Sequence, residues 1–127
     1  MKKIIIVEDD FLLQAEYVSF FKQNFGSDAV RIISLPNADN LLDTQISVQA
    51  DLIITDLVMD ADKEGMAGIM DIRGYSSDIP IIVISGYPSY VETASVFNVD
   101  VILKPVNLLH LSALVSKHLN ITPKDRS

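Results

Sequence analysis

The sequence predicts an α/β fold, a doubly wound (βα)5 sandwich in which a five-stranded parallel sheet carries helices on both faces. Three observations lead there. Five short runs rich in Ile and Val have strand length: "KIIIV" (3–7), "AVRII" (29–33), "LIIT" (52–55), "IIVIS" (81–85) and "VIL" (101–103). Such β-branched residues suit a packed, pleated surface. Segments of helical period separate the runs, and strands alternating with helices build a parallel sheet because crossovers between parallel strands are right-handed almost without exception.

The elements follow in order. Residues 4–7 are aliphatic without interruption, as in a strand buried on both faces, and the run stops abruptly at Glu8, Asp9 and Asp10. Asp10 suits the N-cap of a following helix. Leu13, Tyr17, Phe21 and Phe25 then recur at every fourth position, one apolar helical face, and Gly26 is its stop. Residues 37–48 are less regular and read as a second helix. The third run ends at Asp56, and "DADKEG" (60–65) reads as a solvated loop before a helical face of Met66, Ile69 and Met70. The fourth run ends at Ser85, and Tyr90, Ala94 and Phe97 mark a short helical segment. The fifth ends at Lys104 and Pro105. Asn107 is a candidate N-cap for a last helix whose inner face is Leu108, Leu111, Val115 and Leu119, with Pro123 beyond its end. His110 and His118 read as surface residues of that helix, with no acid paired to them.

Composition narrows the function. A chain of 127 residues is one ordinary domain, here 1–121, with 122–127 as a tail or the start of a linker. A net charge of −7 argues against direct nucleic-acid binding. With no cysteine there is neither a disulfide nor a thiolate metal site. The apolar run in "MKKIIIVEDD" is too short for a signal peptide and ends in acids. No stretch reaches the roughly 18 apolar residues of a membrane span, so a soluble, cytoplasmic protein is expected.

In an open parallel sheet, chemistry collects outside the carboxyl ends of the strands. There the fold would gather Glu8, Asp9, Asp56, Ser85 and Lys104, residues far apart in sequence. Neighbouring carboxylates in a partly dry crevice share protons or hold a cation. An all-oxygen set suits Mg²⁺, which keeps several waters and takes one or two carboxylates. A carboxylate so placed can attack a phosphoryl group to form an aspartyl phosphate, while metal, ammonium and hydroxyl stabilise its oxygens.

The order "VEDD", "IITDLVM", "IIVISGY", "LKP" resembles the receiver domain of two-component response regulators, of flavodoxin-like fold, over essentially the whole chain. The resemblance implies Asp56 as phosphoacceptor and Asp9 as direct Mg²⁺ ligand. Glu8 acts through metal-bound water, and the backbone carbonyl of Val58 completes the protein ligands. Ser85, followed by Gly86, hydrogen-bonds the phosphoryl group; Lys104 pairs with it; Pro105 follows a cis bond that aims the lysine. The implied protein is a signalling phosphoacceptor, assisting its own phosphotransfer and slow dephosphorylation, rather than a conventional enzyme. Its donor is a sensor histidine kinase or histidine phosphotransfer protein, and its output a downstream protein or effector domain.

The sequence also departs from that family. Asp60 stands where a proline is usual, and Gly65 falls about one residue late. Val101 and Ile102 leave the fifth strand without the aromatic residue of the family's switch. The stretch from Ser85 to Lys104 is about a turn short, curtailing the helix within it. These departures keep a second reading open, a phosphorylation-independent pseudo-receiver serving as an interaction module, and leave a homodimer through the altered face open as well. A nucleotide-binding reading is disfavoured, because no glycine-rich phosphate loop follows the first strand.

Overall fold

The computed structural model describes residues 1–57, 63–89, 92 and 96–124. Five strands, β1 (Lys2–Val7), β2 (Val30–Leu35), β3 (Leu52–Leu57), β4 (Ile81–Ser85) and β5 (Asp100–Leu103), form one sheet in the order β2-β1-β3-β4-β5. Every neighbouring pair is parallel. The helices bounded among the described residues are α1 (Phe11–Phe25), α2 (Leu41–Val48), α3 (Lys63–Tyr75) and α4 (Leu108–Leu119).

Alternation along the strands divides the core in two. Ile4, Ile6, Leu52, Ile54, Ile82, Ile84 and Ile102 point to one face, where Tyr17, Phe21 and Phe25 of α1 and Leu111, Val115 and Leu119 of α4 cover them. Ile5, Val7, Ile53, Leu57, Ile81 and Val83 point to the other, under Leu41 of α2 and Ile69 and Ile72 of α3. Strands buried on both sides favour apolar residues on both faces, which is why residues 4–7, 52–54 and 81–84 read as uninterrupted apolar runs. Gly68 of α3 lies where an added Cβ would come within 3.0 Å of the Ala38 side chain, so a small residue lets α3 approach the segment leading into α2.

Helix boundaries follow from local chemistry. Asp10 accepts from the N–H groups of Leu12 (2.9 Å) and Leu13 (3.2 Å), capping α1. Gly26 ends it at φ +100°, a conformation side chains disfavour, with its N–H donating to Lys22 O. Asn107 Oδ1 accepts from His110 N–H and starts α4. Beyond α4, Lys124 N–H donates to Asn24 O at 2.7 Å, holding the following segment against the end of α1.

Four expectations are corrected in detail. Residues 63–65, read as the end of a loop, belong to α3, which begins at Lys63. The helix expected from residue 37 begins at Leu41. Met70 is 55% exposed, because the inner face of α3 continues from Ile69 to Ile72, one turn on. Leu108 is 41% exposed, since it lies in the first turn of α4, ahead of the part that crosses the sheet. Between β4 and β5, Glu92, Val96 and Phe97 are helical; Tyr90 and Ala94 lie outside the described residues.

Candidate functional site

The chain leaves β1 for β2 on one side and returns across β1 to β3 on the other, so the ends of β1 and β3 flank the point where the sheet reverses direction. Ligands bind at such switch points in open α/β sheets. Glu8, Asp56 and Lys104 continue the alternation of Ile4/Ile6, Leu52/Ile54 and Ile102, which puts all three on the side covered by α1 and α4.

Glu8 is 3% exposed and Asp56 7%. Glu8 Oε1 accepts from Asp10 N–H at 3.0 Å, whereas Glu8 Oε2 and both Asp56 carboxylate oxygens are buried with no hydrogen-bond partner. The Lys104 ammonium lies 3.0 Å from Asp56 Oδ1. That contact lacks hydrogen-bond alignment, so it is an attraction of charges without a directed bond. Asp9 is exposed at the rim.

Ser85 is fully buried; its Oγ accepts from Tyr87 N–H at 3.0 Å and its carbonyl accepts from Lys104 N–H at 2.8 Å. The hydroxyl and the lysine are thereby tied through adjacent backbone. The Lys104–Pro105 bond is cis. Gly86 is exposed, with open space where a Cβ would stand. Val58 and Asp60 lie outside the described residues.

Burial first, and then the neighbouring Asp56 carboxyl, push Glu8 up to about 8; Asp9 adds to the rise and the Asp10 N–H opposes it. Burial and a neighbouring carboxyl both disfavour the ionised form, so Glu8 keeps its proton to a higher pH than a free carboxylate. The same surroundings act on Tyr17, whose hydroxyl is driven upward by burial and then by the charges of Asp56 and Glu8.

The residues fit a hard divalent ion. Unpartnered, buried carboxylate oxygens are what such an ion would satisfy, and all are oxygen donors. Among the described residues no group of three or more His, Cys, Asp or Glu side chains is placed to hold a metal ion.

The model of the response regulator receiver domain matches residues 4–116. The chain belongs to this family. Solved structures agree on the fold of this receiver. A two-component response regulator from Clostridium difficile superposes with TM-score 0.78 at 22% identity, over 94% of this chain and 97% of that one. The response regulator TrrA from Thermotoga maritima, in complex with Mg²⁺ and BeF, gives 0.77 at 24%, over 93% and 99%. The BeF3-activated receiver domain of RstA from Klebsiella pneumoniae gives 0.75 at 25%, over 93% and 98%. No curated protein matches the chain.

In this receiver Val101 is half-buried, pairs with Val83 and packs on the α2/α3 side of the sheet, so β5 has an aliphatic residue in that layer. Two features escaped the sequence. His118 Nε2 lies 2.5 Å from Asp100 Oδ2, correcting its reading as an unpaired surface residue. Their pairing depends on the first residue of β5 lying beside the last turn of α4, which no local pattern reveals. Tyr17 was legible only as a core position; its hydroxyl has no partner.

No helix among the described residues is long and apolar enough to cross a membrane.

Proposed function

We propose that this receiver is a phosphorylation-controlled switch of a two-component system, with Asp56 as phosphoacceptor. One observation carries the reading: a buried aspartate at the switch point whose two oxygens lack hydrogen-bond partners while a lysine ammonium waits 3.0 Å away. A structural ion pair would be aligned and satisfied. A nucleophile must keep its oxygens available.

Asp9, Asp56 and the Val58 carbonyl would hold Mg²⁺, with Glu8 bonded through a metal-held water; the ion supplies positive charge to offset that of the incoming phosphoryl oxygens. Asp56 attacks phosphorus as the bond to the donor's histidine nitrogen breaks. Lys104 follows the new negative charge, and the Ser85 O–H donates to a phosphoryl oxygen. Phosphorylation adds about −1.5 to −2 charges. Lys104 N–H is bonded to Ser85 O, so both residues are drawn inward together, and Ser85, Gly86 and Tyr87 carry the change as a backbone rearrangement. That route needs no aromatic on β5. The donor is a histidine kinase or phosphotransfer protein, the setting the cytoplasm, and the readout a downstream protein or effector domain.

Intact mass after incubation with acetyl phosphate and Mg²⁺ tests the proposal. A single phosphoryl adduct, absent in Asp56→Asn and in EDTA, is expected. A folded protein that acquires none, even from a cognate kinase, would be a phosphorylation-independent interaction module instead.

A further inference from the structure

Tyr17 occupies the inner face of α1, 3% exposed, and its hydroxyl is buried with no hydrogen-bond partner. A phenylalanine would fill the same space without the cost of desolvating a hydroxyl. The group is therefore a poor choice for packing alone. Its surroundings suggest another use. Tyr17 and Lys104 line the same groove of about 290 Å³, together with Leu13, Glu16, Pro105 and Val106. The Asp56 and Glu8 carboxylates are near enough for their charges to act on the hydroxyl. The Lys104 side chain is 37% exposed, so the ammonium has room to move, and its contact with Asp56 fixes no hydrogen-bond direction.

An ammonium carries three donors and no acceptor; a phenol oxygen can accept. We infer that Tyr17 is a positioning residue for Lys104. When a phosphoryl group on Asp56 draws the ammonium off Asp56 Oδ1, Tyr17 Oη accepts one of its N–H groups and fixes it over the phosphoryl oxygens. The inference rests on the phosphoacceptor role of Asp56. It also gives this receiver an aromatic coupled to the phosphoryl site from α1, on the side of the sheet opposite to Val101.

Mg²⁺ with beryllofluoride serves as the phosphoryl probe, titrated into the full chain as wild type and as Tyr17→Phe. Loss of one hydrogen bond to a charged group weakens binding about tenfold. The metal-free Tyr17→Phe protein should melt no lower than wild type, because it no longer buries an unsatisfied hydroxyl. In the wild-type complex the Lys104 ammonium protons should be protected from exchange by NMR, and in the Tyr17→Phe complex they should not. Equal affinity and equal protection in both proteins would overturn the role of Tyr17. A tenfold loss with Lys104 protection unchanged would overturn it too, since the hydroxyl would then act without the lysine. Failure of the folded wild type to bind the probe at all would overturn the phosphoacceptor reading itself.

Discussion

Glu8 and Asp56, 48 positions apart in sequence, are buried side by side at the ends of adjacent parallel strands, and Asp56 raises the proton affinity of Glu8. The pair is an arrangement a metal-free fold tolerates at a cost, so the site is a source of local instability until a cation arrives.

Removing one charge should therefore stabilise the metal-free protein. Asp56→Asn keeps the shape and relieves the repulsion. It also removes a contact to a partly solvated lysine, which contributes little because the ammonium is screened. A gain of about 1 kcal/mol, or several degrees in Tm, is expected by calorimetry in EDTA above about pH 8, where Glu8 is ionised as well. A lower Tm would mean that the Lys104 contact outweighs the repulsion.

The same pair sets a pH dependence. The Glu8 carboxyl is raised from 4.5 to about 8 on folding, so the folded state holds a proton that the unfolded chain gives up in this window. Stability from this group is complete below 4.5 and is lost as pH rises through about 8. Denaturant titrations in EDTA should show a decline across that range that Glu8→Gln flattens. Parallel profiles for the two proteins would refute the assignment.

Asp10 caps α1 through its side chain while its backbone N–H serves Glu8. Asp10→Ala should cost about 1 kcal/mol of stability and leave labelling by acetyl phosphate at the wild-type rate. A large loss of labelling in the folded variant would place Asp10 in the metal site.

Phe21 is fully buried, with ring contacts to Phe20 and Phe25 at centroid separations of 5.6 and 6.4 Å. Phe21→Ala should cost about 3–5 kcal/mol. Leu109, 77% exposed in the first turn of α4, should change stability by no more than about 0.5 kcal/mol when replaced by Ala. Urea midpoints of the two variants settle the contrast.

The sequence by itself determined the five strands, the buried faces of α1 and most of α4, the caps at Asp10 and Asn107, and the stop at Gly26. Each of these is a local property: strand composition, helical period, or a side chain bonding its own neighbouring backbone. Alternation was harder to use, because strands covered on both sides favour apolar residues on both faces, and it could not tell which helix covers which face. The strand ends likewise nominated Glu8, Asp56, Ser85 and Lys104 as a group. Only the tertiary structure decided how they meet. The parallel register brings Lys104 N–H to Ser85 O and the Lys104 ammonium to Asp56, and burial leaves the carboxylate oxygens without partners. It also brought Asp100 to His118 and the Tyr17 hydroxyl into the field of Asp56 and Glu8. Such contacts join residues separated by whole elements, and their energies depend on distance and burial, which sequence spacing does not encode.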